Sequence, residues 1–231
     1  MASIQIQTAS NFDASTVTFS KLRKNKNGGK SVFLSGNGGK KLYIQLPYMR
    51  APFGLSMFTD ENTKKTSYSL DLSFDKNDEN LMDIQQRISN LDEAVINAVA
   101  ENSVEWLGKK YNISVLREAL YKPLVRPGKD DYASTMKLKV MTDMKSGNFV
   151  PEAYNCRREH VPLDSIEKGQ KVLTIIEINQ IWFIDNKFGV SVRLQQGLFE
   201  ESKRLPSFAF QGIDTMGAEA EAEDEELVDE E

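Results

Sequence analysis

The sequence predicts a mainly β fold of the α+β class, a small barrel with one inserted helix. Three observations predict it. Short alternating or β-branched runs recur along the chain between Gly, Asn and Pro residues, and such runs bounded by turn residues read as strands. Only one stretch keeps a helical period: Leu81, Ile84, Ile88, Leu91, Val95 and Ala98 fall at steps of three and four. The strongest β signal, Val172 to Ile184, meets Asp185-Asn186-Lys187 and a return run, Phe188 to Leu194, the pattern of a hairpin.

In chain order, residues 1–11 are polar and read as loosely held, and Thr16–Phe19 reads as a strand. A basic loop runs from Lys21 to Lys30. Asn-Gly-Gly-Lys occurs at 27–30 and again at 37–40; paired glycines supply the positive φ of a tight turn. Between the copies Ser31–Ser35 reads as a strand. Lys41–Leu46 follows, with Leu42, Ile44 and Leu46 on one side and Tyr43 and Gln45 on the other, until Pro47 ends it. Tyr48–Phe58 reads as irregular and aromatic. Tyr68, Leu70, Leu72 and Phe74 alternate with Ser67, Ser69, Asp71 and Ser73, a half-buried strand.

The helix starts behind Asp78, with Asn77 and Asn80 as competing caps, and its period continues through Val104, Trp106 and Leu107 to Gly108. Its apolar stripe is expected to lie on its own sheet. Residues 109–133, with Pro123, Pro127 and Gly128, read as a connector carrying a second basic group that includes Lys122 and Arg126. Met136, Leu138 and Val140 alternate with Lys137 and Lys139, giving a strand with one apolar and one cationic face. Residues 143–165 read as a long loop carrying Phe149, Tyr154, Arg157 and Arg158, and Gln195–Phe210 tails off. A helix interrupting Greek-key strands fits an enlarged OB-fold, a Greek-key β-barrel. The expected organisation is one domain over 1–216, an insertion at about 78–133, and a disordered acidic tail over 217–231.

Charge is distributed unevenly. The net charge is −5, yet residues 217–231 hold nine acids and no base, leaving 25 acids against 29 bases in the body. A basic body seeks phosphates, and an acidic tail seeks basic partners or covers that body's own face. From Ala14 to Thr59 there is no Asp or Glu. This ribbon holds eight cations, Lys21, Arg23, Lys24, Lys26, Lys30, Lys40, Lys41 and Arg50, and six rings, Phe19, Phe33, Tyr43, Tyr48, Phe53 and Phe58. Cations interleaved with rings suit a single-stranded nucleic acid, whose phosphates need neutralising and whose bases need stacking surfaces. The expected binding residues are Lys21, Arg23, Lys24, Lys26, Lys30, Phe33, Lys40, Lys41, Tyr43, Tyr48, Arg50 and Phe53, with Lys137, Lys139, Arg157 and Arg158. The bland reading makes the rings core and the lysines a solvated surface.

No catalytic site, metal site or cofactor is expected. Gly28-Gly29-Lys30-Ser31 lacks the glycine that a phosphate-binding loop needs five positions before its Gly-Lys pair, and Lys24 stands there. One Cys, Cys156, and one His, His160, cannot furnish a four-ligand zinc site. A lone cysteine and no signal-like or spanning segment point to an intracellular, reducing compartment and no membrane partner.

The basic, aromatic first half, the strand-rich body and the acidic end resemble replicative single-stranded-DNA-binding proteins of bacteria and DNA phages. More narrowly, Lys40-Lys41-Leu42-Tyr43-Ile44-Gln45-Leu46-Pro47, and Ile181-Trp182-Phe183 returning through Phe188-Gly189-Val190, look like the OB-fold proteins of that class from large nucleocytoplasmic DNA viruses. The resemblance implies a non-enzymatic protein that coats exposed DNA in replication, recombination or repair. In a virus it would act where viral DNA replicates, in the host nucleus or cytoplasm. It also implies that the tail, Glu223, Asp224, Glu225, Glu226, Leu227, Val228, Asp229, Glu230 and Glu231, recruits replication or recombination proteins. The bacterial pattern ends in an apolar tip with phenylalanine; this chain ends Leu-Val-Asp-Glu-Glu. RNA as ligand, a homo-oligomer, and an interaction or chaperone module working through its tail remain open alternatives.

Overall fold

Strand pairing closes a ring, and the ring fixes everything that follows. A computed structural model describes residues 4–24, 28–202, 205 and 209–211. Lys26 and the acidic tail at 217–231 lie outside the described residues. The chain divides into a unit of residues 1–201 and a second of 202–231; the barrel belongs to the first. In the second, Leu205 and Phe210 are exposed.

The first strands are β1 (Ile6–Thr8), β2 (Thr18–Phe19), β3 (Arg23–Lys24), β4 (Lys30–Ser35), β5 (Leu42–Gln45), β6 (Met49–Arg50), β7 (Leu55–Thr59) and β8 (Thr66–Phe74). Helices α1 (Glu79–Glu101), α2 (Ser103–Leu107) and α3 (Ile113–Val115) follow, the last running into a wider turn over Leu116–Leu120. Then come β9 (Tyr121–Lys122), β10 (Val125–Arg126), β11 (Ser134–Val140), β12 (Glu152–Tyr154), β13 (His160–Val161), β14 (Lys171–Ile184) and β15 (Lys187–Phe199).

The ring runs β6–β8–β11–β15–β14 and back to β6. Every pairing in it is antiparallel except β11 with β15, which is parallel. Five strands closed with one parallel pair form the Greek-key barrel expected from the sequence. On its other edge β14 meets β4, β5 and β6 in succession. It can do so because its register with β15 shifts at Ile175/Ile176 and Ile178/Gln180, and such bulges bend a strand and increase its twist. Asp185 and Asn186, both at positive φ (48° and 64°), make the tight turn between β14 and β15.

Alternation fills the interior. Leu42, Ile44 and Leu46, Leu70, Leu72 and Phe74, and Met136, Leu138 and Val140 are all buried, as their period predicts. Helix α1 starts behind Asp78, whose carboxylate accepts from the Leu81 N–H at 3.1 Å. Its buried stripe brings Ile84 and Ile88 against Ile44, Met136, Ile176 and Val192 of four strands. The helix therefore plugs the barrel, and burial of each such side chain contributes roughly 1.5–3 kcal/mol.

Several local expectations are corrected. The described part of the first eleven residues, 4–11, is not loose: β1 pairs in parallel with β5, and Ala9 and, just beyond, Phe12 are buried. The helix does not run unbroken to Leu107. Asn102 turns its side-chain amide onto the Ala98 carbonyl at 2.8 Å and leaves helical geometry, a local bond that competes with the helix ladder. Gly108, at φ 86°, then caps α2. The strand expected over Thr16–Phe19 is shortened by a 3-10 turn over Ala14–Thr16. Tyr48–Phe58 takes in β6 and all of β7 but its last residue, Thr59, and residues 143–165 contain β12 and β13. The return strand continues past Gln195 to Phe199. Among the described residues no helix is long and apolar enough to cross a membrane.

Candidate nucleic-acid interface

Side chains that face each other across a ladder share one side of the sheet, so the register builds the outer face row by row. The first row is Arg23, Ser31, Trp182, Gly189 and Lys122, contributed by β3, β4, β14, β15 and β9. The second is Phe33, Gln180 and Ser191. The third is Tyr43, Glu177, Arg193, Lys139 and Ser69. The intervening positions, Val32, Leu42, Ile178, Ile181, Val190 and Val192, are buried. Sheet periodicity thus sorts one set of strands into an apolar interior and a face of cations and rings.

A groove of about 480 Å³ opens on this face. Lys30, Lys122, Arg126, Lys137 and Lys139 line it, with Trp182, and no acid is among its described lining residues. Gly189 sets the indole: a Cβ there would stand 2.8 Å from Trp182 Cζ2 and 3.0 Å from the Lys122 carbonyl oxygen. Its absence lets the ring lie against β15.

The rim is held from behind by the helix. The buried Asp92 of α1 accepts a short hydrogen bond from the Tyr121 hydroxyl, and the Leu124 N–H lies 3.3 Å from its Oδ2. This ties down the segment that presents Lys122 and Arg126. Burial pushes the Asp92 carboxyl up to about 7, against the opposing pull of those two donors. Burial, and then the Asp92 charge, also raises the Tyr121 hydroxyl well above the ordinary tyrosine range.

Among the described residues two acids approach the cations, and both are engaged. Asp71 lies 4.0 Å from Lys137; burial raises its carboxyl, while Lys137 and Arg126 act in the opposite direction. Glu177 is buried and receives Lys41 Nζ at 3.4 Å, with Asn179 Nδ2 and Gln195 Nε2 each at 3.2 Å. That charge, first, raises the Lys41 pKa. Cations already cover two of the rings. The Arg23 guanidinium sits 5.0 Å from the Phe33 centroid and Lys41 Nζ 5.9 Å from that of Tyr43. Among the described residues no such cation stands over Trp182, which is half-buried.

The structure gathers Arg23, Phe33, Lys41, Tyr43, Lys137 and Lys139 on this face. Lys30 lines the groove while donating to the Trp106 carbonyl at 3.3 Å. Arg158 lies in a cleft with Tyr154, Leu173 and Ile175, at the other end of β14, and Arg157 is in the same turn. The remaining expected residues do not converge. Lys21 lines a cleft against α1, Lys40 a cleft with the N-terminal strand, and Lys24 pairs opposite Lys30. Arg50 packs over Gly169, while Tyr48 and Phe53 are exposed at 40% and 56% on the chain between β5 and β7. Sequence reasoning did not single out Trp182, Lys122, Arg126 or Arg193 as binding residues. Trp182 and Arg193 sit inside dense β runs where the parity of one residue decides its side, and only the register reveals it.

A family model described as a family of unknown function, DUF5871, matches residues 66–211, well over half of the chain. The chain belongs to this family. The DUF5871 match begins with β8 and takes in Lys122, Arg126, Lys139, Trp182 and Arg193, but not Arg23, Phe33 or Tyr43. Among curated proteins none has a matching sequence. Among solved structures, the chain is similar to the single-stranded DNA-binding protein of bacteriophage Enc34 in complex with ssDNA. Identity there is 14%, with 81% of this chain and 97% of that one covered and a TM-score of 0.45. It is similar also to gp2.5, a single-stranded DNA binding protein encoded by bacteriophage T7, at 14% identity, 86% and 99% coverage and a TM-score of 0.44. The barrel topology of this DUF5871 chain rests on its own strand pairing and not on these superpositions.

Proposed function

We propose that the protein binds single-stranded DNA without sequence preference along the outer face of β4, β14, β15 and β11. The observation that carries this reading is the acid-free cationic groove with the indole of Trp182 in its wall. Lysine and arginine displace counterions from phosphates, and a ring stacks any base, so neither reads sequence. In this reading the protein shelters DNA exposed in replication, recombination or repair, inside the cell. The nine acids of residues 217–231 compete with DNA for the groove and, once displaced, recruit partner proteins. A fluorescence titration of the full chain with single-stranded DNA, duplex DNA and RNA at two salt concentrations tests it. Strong preference for single-stranded DNA is expected, weakening with salt. Equal affinity for duplex and single strand, or none for either, overturns the proposal.

A further inference from the structure

The cations of this face are not equivalent. Lys30 is bonded to a carbonyl and Lys137 is shadowed by Asp71. Lys139 and Arg193 differ. They are direct register partners on the parallel pair β11–β15, and neither makes an ion pair among the described residues. Among the described residues Arg193 Nε is buried without a hydrogen-bond partner, an arrangement that ordinarily has a reason. Glu177 stands opposite Arg193 on β14 and could have neutralised it. Its carboxylate is instead taken by Lys41, Asn179 and Gln195. Desolvation first, and the Arg193 charge second, hold the Lys139 ammonium below the usual lysine range. Two like charges set side by side, one with an idle donor, are relieved when an anion joins them.

We propose that Lys139 and Arg193 form a subsite for one phosphate group, the point at which a bound strand is pinned. This rests on the reading that the face carries a strand, and it adds where the contact becomes directional. Because Arg193 Nε is enclosed in the free protein, the side chain turns outward on binding to offer its Nε–H and one terminal N–H as parallel donors to two phosphate oxygens. The Lys139 ammonium supplies a third. The remaining groove cations act mainly through their field. The fork accepts any phosphate oxygens, so inorganic phosphate is a sufficient probe.

The test follows the arginine Nε–H resonances of the full chain in ¹H–¹⁵N spectra, with Arg193 assigned through Arg193→Lys. Inorganic phosphate is added against chloride at matched ionic strength, then a single-stranded oligonucleotide. The Arg193 Nε–H signal should move and saturate with both, and Lys139→Gln should weaken the phosphate response by about tenfold or more, as loss of a charge-assisted bond requires. An unmoved Arg193 signal while the oligonucleotide quenches tryptophan emission overturns the subsite and leaves the strand-binding reading standing. An Arg193 signal that moves with phosphate while the oligonucleotide fails to bind keeps the subsite and removes that reading. Silence in both experiments removes both.

Discussion

Replacing Lys122 and Arg126 together by glutamine should flatten the salt dependence of single-stranded DNA binding. Among the described residues five cations line the groove, and one of them, Lys137, is offset by Asp71 at 4.0 Å. About four net charges are therefore available. For single strands each neutralised phosphate contributes about −0.7 to the slope of log K against log salt, so the groove predicts about −2.8. Raising salt from about 50 to about 200 mM then weakens binding about 50-fold. Without Lys122 and Arg126 the slope falls to about −1.4 and the same change weakens binding only about sevenfold. Both side chains are exposed, so stability should change by no more than about 0.5 kcal/mol, which thermal unfolding checks. Fluorescence titrations at four salt concentrations read the slope directly. A double variant that folds normally and keeps the parent slope would refute the assignment of these residues to the groove. So would a parent slope near zero.

Trp182→Ala should cost roughly 1–3 kcal/mol of DNA affinity, the worth of one stacked base. It should also abolish DNA-induced quenching, since the other tryptophan, Trp106, is buried at 4% exposure; persistent quenching in the variant contradicts this. Asp92→Asn should change the pH dependence of stability. Its native pKa, about 7, exceeds the unfolded value near 4, so the native state holds the proton more tightly and wild-type stability falls as pH rises from about 4 to 7. Denaturant titrations at pH 5 and 8 should show the difference shifting towards the variant, by up to about 2.6 kcal/mol; parallel profiles reject it. Removing residues 217–231 should tighten DNA binding at low salt and change little at high salt, where screening already removes the competition. Equal affinities at low salt argue against a competing tail.

Much of the barrel is legible because period is local. The alternation of Leu70, Leu72 and Phe74, the stripe of α1 and the Asp185-Asn186 turn each need only a few adjacent residues. What is hidden is pairing at a distance. Ile6–Thr8 is too short to show a pattern, and only its parallel partner, β5, makes it a strand. The return strand is cut short in the sequence by Gln195-Gln196-Gly197, a weak β signal. In the structure the register slips just there, with Ile176 opposite Leu194 and Ile175 opposite Gln196. The candidate face suffers the same limitation. Phe33 and Tyr43 lie in the ribbon, Lys139 far beyond it and Arg193 farther still, and no local rule joins them. Lys40 and Lys21 share the ribbon's composition, yet short strands turn them towards other clefts.

The ribbon's composition still has a physical meaning, which lies in what it leaves out. Strands β4, β5 and β6 together cover one whole edge of β14, and all three come from the stretch without an acid. At physiological ionic strength a charge is felt over about 8 Å, and adjacent strands are only about 5 Å apart. An acid on any of the three would therefore lie within reach of a phosphate bound along β14. Glu177 and Asp71, which come from other strands, are each held beside a lysine. Excluding acid from one run of sequence thus keeps one flank of the face free of repulsion, whichever of its individual lysines and rings touch the strand.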